Sequence, residues 1–163
     1  MRIIIVSDTH RQFFPLLNLI ESHLSDVDHF IHLGDGLQEF EDVENLYPEK
    51  HFYSVPGNCD FGYNDPYINF LTLTENGKSY KIMYTHGHAL SVKYSLDPAL
   101  KIAEETSSHI LLYGHTHQNF TDYKNNVYIL NPGSLCLPRN SFKSYGVLDL
   151  TPAGIIPRIV QFK

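Results

Sequence analysis

The amino-acid sequence predicts an α/β fold in which two mixed β-sheets pack on one another with helices outside. Three observations predict it. Residues 2–55 alternate short apolar strands with amphipathic helices, an Asn-Gly pair at 76–77 joins two strand-like runs, and beyond residue 113 the pattern is strands alone.

Arg2 to Ser7 is a β-branched run ending at Asp8, short enough and apolar enough for a strand buried on both faces. Phe13, Leu16, Leu17, Ile20 and Leu24 recur at three- and four-residue spacing, a helical stripe that tolerates Pro15 in its first turn. His29 to Leu33 is the second strand, closed by Gly34-Asp35, and Leu37, Phe40, Val43 and Leu46 mark a second helix stopped near Pro48. His51 to Val55 is the third strand, broken by Pro56-Gly57. This β-α-β-α-β order implies parallel strands with right-handed crossovers.

Ile68 to Thr74 and Lys78 to Thr85 flank Glu75-Asn76-Gly77, a strong hairpin signal. Leu96, Ala99, Leu100 and Ala103 suit a third helix and His109 to Tyr113 one more strand. Turns at Asn125-Asn126 and Pro152-Ala153-Gly154 divide the all-β remainder, and Phe61 to Tyr67 is an irregular polar-aromatic loop. A length of 163 residues with 42% hydrophobic content fits one domain, residues 1–163.

The formal net charge is -6, and the Lys and Arg residues are scattered, which argues against a long nucleic acid as ligand and leaves a small anion held through metal. Ser7-Asp8 follows only four apolar residues, too few for a signal peptide's core of about 7–15. No segment approaches the roughly 18 apolar residues of a membrane span, so a soluble, cytoplasmic protein is expected. Cys59 and Cys136 form neither a Cys-x-x-Cys pair nor a disulfide framework, as in a reducing compartment.

Ten histidines are the unusual feature. His10, His86, His88, His115 and His117 sit in short polar clusters after apolar strands, whereas His23, His29, His32, His51 and His109 do not and read as exposed or satisfied core side chains. Each candidate ligand follows a strand: Asp8 and His10 the first, Asp35 the second, Asn58 the third, His86, His115 and His117 later ones. Open α/β sheets bind ligands beyond the carboxyl ends of their strands. One such cluster alone is often a turn or cap, but five together point to metal. Carboxylate, carboxamide and imidazole without thiolate suit Mn, Fe, Ni, Co or Zn, and seven ligands suit two ions sharing a carboxylate.

These motifs, Asp8-Thr9-His10, Gly34-Asp35, Gly57-Asn58-Cys59-Asp60, His86 and Gly114-His115-Thr116-His117, resemble those of the calcineurin-like metallophosphoesterases, in particular their small single-domain prokaryotic phosphodiesterases. The resemblance implies a four-layer αββα sandwich and two divalent ions, Mn first. Asp8, His10 and His117 would hold one ion and Asn58, His86 and His115 the second. Asp35 would bridge them with one oxygen to each, at a separation of about 3.5–4 Å, with a bridging hydroxide as nucleophile.

Many members of the family carry a histidine where this chain has Cys59. That residue is associated with protonating the leaving group, and a thiol is a weak donor. His88, or water at the metal, is the expected substitute for that catalytic role. Asn58 is expected to contact substrate as well as metal, and Gly133 and Ser134 of the Asn131-Pro132-Gly133-Ser134 turn to line the phosphate pocket. Asp60 reads as an orienting group. Phe61, Tyr63 and Tyr67 are loop packing or a substrate-facing wall.

The expected substrate is a small phosphodiester, with phosphomonoesters as the nearest alternative and a homodimer as the assembly the resemblance suggests. A different alternative is a catalytically weak protein-interaction scaffold, as in the retromer complex.

Overall fold

Alternation within Ile3-Ile4-Ile5-Val6 decides the layering, because successive side chains of a strand leave opposite faces. Ile3 and Ile5 enter a core shared with Leu73, Tyr80, Ile82, Leu112 and Leu130, whereas Ile4 and Val6 enter another with Leu16, Leu19, Ile20, Phe40 and Val43. The computed structural model describes all residues, Met1–Lys163.

The elements follow the expected order: β1 (Arg2–Val6), α1 (Phe13–His23), β2 (His29–His32), α2 (Leu37–Leu46), β3 (His51–Ser54), β4 (Ile68–Glu75), β5 (Lys78–Thr85), α3 (Asp97–Glu105), β6 (Ile110–Tyr113), β7 (Asn119–Lys124), β8 (Val127–Pro132), β9 (Ser144–Thr151) and β10 (Gly154–Gln161). One sheet has the order β10-β9-β1-β2-β3 and the other β4-β5-β6-β8-β7. Strands β1, β2 and β3 are parallel, as are β5, β6 and β8, while β9 pairs antiparallel with both β1 and β10, β4 with β5, and β7 with β8.

The first core lies between the sheets and the second under α1 and α2. Met83, Leu111 and Ile129 form the third with Ala99, Leu100 and Ala103 of α3. Four layers, α/β/β/α, result. The Asn76-Gly77 and Asn125-Asn126 turns both take positive φ at their two central residues, the hairpin geometry that matches strand twist. Two local differences stand out. A 3-10 turn at His88–Leu90 was not foreseen by the sequence pattern. Asn131 and Pro132 finish β8, paired with Phe120 and Asn119, so the turn begins only at Gly133.

Strands β1, β2, β3, β5 and β6 all end at one edge of the sandwich. There the Asp8 N–H donates to Gly34 O, and the Gly114 N–H to His86 O. No helix is long and apolar enough to cross a membrane.

Candidate metal centre

All seven predicted ligands meet at this edge. On one side Asp8 Oδ1 lies 3.1 Å from His117 Nε2 and 3.9 Å from His10 Nε2, with the two imidazole nitrogens 3.3 Å apart. On the other, His86 Nε2 lies 3.3 Å from Asn58 Oδ1 and 3.1 Å from His115 Nδ1. Asp35 stands between, its Oδ2 3.8 Å from His10 Nε2 and 3.6 Å from His86 Nε2. Oδ1 of Asp35 accepts the Cys59 N–H at 2.7 Å. One oxygen therefore faces both groups, rather than one oxygen to each as the motifs suggested.

The donor set fits a cation because its lone pairs point at one another. A carbonyl can only accept, so the 2.6 Å bonds from His86 Nδ1 to Leu33 O and from His117 Nδ1 to Leu137 O place the proton of each neutral ring on Nδ1. Their Nε2 lone pairs are left facing acceptors. Asp8 Oδ1 is buried without a hydrogen-bond partner, an arrangement that is costly unless positive charge fills it. Burial opposes the charge on Asp8, but His117 and His86 outweigh it and hold the carboxyl below its ordinary value. The same Asp8 carboxylate raises His117. Burial, then the neighbouring His86, pushes His115 down to about 4, which keeps its ring neutral and able to ligate.

Five of the seven predicted ligands (Asp8, His10, Asp35, His115 and His117) have left-handed backbones, with φ between 47° and 67°. For non-glycine residues this costs on the order of 1–2 kcal/mol each and persists where surrounding structure over-determines it. Asp60 supplies that restraint for Asp35. Its carboxylate accepts the N–H groups of Asp35 (2.7 Å), Gly57 (2.8 Å), Gly36 (2.9 Å) and Leu37 (3.0 Å). Burial would raise its carboxyl, but donors from Gly57, Leu37 and Asp35 outweigh this and hold it low. Gly57 is required by close approach, since a Cβ there would overlap Asp35 Oδ1.

The Cys59 thiol groups with ligand atoms of His10 and Asp35 within 4.8 Å. Burial, then Asp35, pushes it up to about 11. The His88 ring centroid is 5.3 Å from that of His86 and 6.1 Å from that of His115, with Tyr67 packed edge-on at 4.9 Å. Its Nδ1 is buried without a partner.

Gly133 and Ser134 lie behind the ligands. The Gly133 N–H donates to Asn131 Oδ1, and the fully buried Ser134 hydroxyl donates to Asp8 O at 2.7 Å. These two groups are thus directed at the protein, the Ser134 hydroxyl bracing the Asp8 loop. Asn131 Nδ2 ties Gly114 O and Thr116 Oγ1 in the same way.

A cavity of about 590 Å³ opens from His10, Asp35 and Cys59 along α2 to Arg11, Phe13, Gln38, Asp42, Phe61 and Tyr63. Phe61 and Tyr63 belong to its wall, while Tyr67 packs elsewhere. Phe61 is 82% exposed. Sequence reasoning passed over Ser7, whose hydroxyl donates to Asp8 Oδ2 at 2.6 Å, and Glu39, which joins Thr9 and His32, the latter a satisfied core side chain as expected, in a buried polar group. The one available signal was Glu39, an acidic residue at a position that the spacing of Leu37, Phe40 and Val43 places near the buried side of α2.

Fold and site together define an αββα sandwich with a cluster of candidate metal ligands at its strand ends. Residues 1–152 match the calcineurin-like phosphoesterase superfamily domain, and the chain belongs to that superfamily. It is 33% identical over 152 residues to the probable metallophosphoesterase YsnB of Bacillus subtilis (strain 168), covering 92% of this chain and 85% of that protein. Phosphodiesterase MJ0936 of Methanocaldococcus jannaschii is 28% identical over 162 residues, covering 91% and 93%.

Among solved structures, a predicted phosphoesterase from Streptococcus pneumoniae TIGR4 superposes with a TM-score of 0.76 at 25% identity, covering 98% of this chain and 97% of that one. A single mutant of Vps29 from Entamoeba histolytica shares the fold, with a TM-score of 0.73 at 19% identity over 100% of both chains.

Proposed function

We propose that this chain hydrolyses small phosphodiesters with two divalent ions, Mn first among those the donor set suits. Asp8, His10 and His117 would hold one, Asn58, His86 and His115 the other, and Asp35 both. The observation that carries this reading is the convergence of unpaired acceptors around Asp8 Oδ1 and Asp35 Oδ2. Ions bound there supply an activated water and neutralise charge on the phosphoryl oxygens.

The chain's own residues do the rest. Asp60 and the Cys59 N–H fix Asp35, and Leu33 O and Leu137 O fix the tautomers of His86 and His117. His88, beside the second ligand group, donates the proton to the leaving alkoxide that the Cys59 thiol is poorly suited to supply. The cavity beside His10 takes one ester group, with Phe61 and Tyr63 as its wall and Arg11, which no carboxylate pairs, offering positive charge. Asp42 and Glu39 also line it, and these acidic groups disfavour the extra negative charge of a monoester. The phosphodiesterase name of the archaeal relative supports the same choice.

One experiment tests this. Mn²⁺ uptake is measured alongside hydrolysis of bis(p-nitrophenyl) phosphate, p-nitrophenyl phosphate and alkyl aryl diesters of rising leaving-group pKa. The diester should be preferred, and Asp35→Ala should abolish both uptake and turnover. His88→Gln should lose most on the poorest leaving groups, and an equal loss on all would remove its role. No metal uptake by the wild type would defeat the reading and leave the scaffold use of this fold.

A further inference from the structure

Between the candidate metal ligands and α2 lies a second buried polar cluster of Thr9, His32 and Glu39. His32 and Thr9 are fully buried and Glu39 is 4% exposed. Its hydrogen bonds run in one direction. The Gly34 N–H donates to His32 Nδ1 at 3.1 Å, so the ring proton sits on Nε2 and points to Thr9 Oγ1 at 3.0 Å. The Thr9 hydroxyl then donates to Glu39 Oε1 at 2.6 Å, and the same oxygen accepts the Arg11 N–H at 2.7 Å. Desolvation pushes His32 down to about 4, which keeps the ring neutral and the direction fixed.

What this chain of bonds holds is the loop that carries two ligands. Asp8, His10 and Arg11 have φ of 56°, 47° and 66°, and left-handed residues stay so only when held from several sides. The Asp8 and His10 N–H groups bond Gly34 O and Asp35 O at 3.0 and 2.9 Å. The restraints on the other two residues, through the Thr9 hydroxyl and the Arg11 N–H, both end on Glu39 Oε1. At 2.6 and 2.7 Å both bonds are short. The contact also needs Gly36, because a Cβ there would overlap Thr9 Oγ1.

We infer that Glu39, acting through Thr9 and backed by His32, is a positioning group that presets Asp8 and His10 to reach one ion together. This rests on the reading that these two residues hold metal. Partners that orient metal ligands typically matter by about 10–100-fold in metal affinity.

The test titrates Mn²⁺ calorimetrically into two backgrounds. His115→Ala leaves the Asp8, His10 and His117 group, and His117→Ala leaves the Asn58, His86 and His115 group. Adding Thr9→Val, which keeps shape and removes the hydroxyl, should weaken binding about 10–100-fold in the first background and spare the second. Thr9→Ser should restore the affinity. Val43→Ala, a cavity on the same helix, should lower Tm and leave both titrations unchanged.

Equal weakening in both backgrounds, wild-type affinity in Thr9→Val, or the same loss in Val43→Ala would overturn the inference. If Thr9→Val does not fold, Glu39→Gln keeps the shape, weakens both accepted bonds, and must give the same asymmetry. Absence of Mn²⁺ binding in the unmutated chain would instead remove the metal reading beneath it.

Discussion

The two ends of β1 treat charge in opposite ways. At the Arg2 end every charge has a partner. Arg2 Nε donates to Asp149 Oδ1 at 2.7 Å and Nη1 to Asp26 Oδ2 at 3.0 Å, Arg158 joins Asp149, and the Met1 ammonium bonds Glu75 and Leu150 O. At the Asp8 end, buried carboxylate and imidazole acceptors face one another, with Asp8 Oδ1 unpartnered. The first end adds modestly to stability, since much of it is open to water. The second gives stability up until a cation arrives, which is how a binding site differs from a structural ion pair.

The largest test of this contrast is Asp8→Asn. Mn²⁺-dependent hydrolysis should fall by about 10³-fold, the several kcal/mol that metal supplies. The metal-free variant at about pH 8 should unfold no earlier than wild type, because the new amide can donate toward His117 Nε2. Calorimetry of the metal-free proteins checks this, and a Tm lower by many degrees would make the two ends alike.

Phe61→Ala comes next. Removing an exposed cavity-wall ring should raise KM for aryl diesters up to about tenfold, the value of an aromatic contact, with Tm unchanged. A fall in Tm instead of a rise in KM would assign Phe61 to packing.

The smallest effect lies at the paired end. Asp149→Ala should lower stability by about 1 kcal/mol, or roughly 2–4 °C in Tm for a chain this size, without touching hydrolysis. Its pH dependence sharpens the point. Burial alone would raise the Asp149 carboxyl, but Arg2 and Arg158 outweigh burial and hold it below its ordinary value. Its contribution is therefore present above the unfolded pKa of about 3.9 and lost as pH falls through the lower folded value. Chemical denaturation should show the gap between wild type and variant narrowing below about pH 4. A gap that persists at lower pH would mean packing, not charge, explains it.

Legibility in the sequence followed the range of the forces involved. Ile3-Ile4-Ile5-Val6, the stripe from Phe13 to Leu24 and the Asn76-Gly77 turn each encode a local preference, so element order, the four layers and the strand-end location of Asp8, Asp35, Asn58, His86 and His115 could be read directly. Local pattern says nothing of direction once a side chain leaves its own element. Ser134 reads as a pocket residue from its turn, yet the fold turns its hydroxyl to Asp8 O.

The left-handed backbones of Asp8, His10, Asp35, His115 and His117 left no trace in composition, because none is a glycine. They are held by bonds to residues far along the chain, such as the Asp35 N–H to Asp60 and the His115 N–H to Asp8. The sequence by itself determined which donors exist and at which strand ends they stand. Only the tertiary structure decided that their lone pairs converge and that Asp35 Oδ2 faces both groups, because those facts depend on contacts between two sheets that no local propensity specifies.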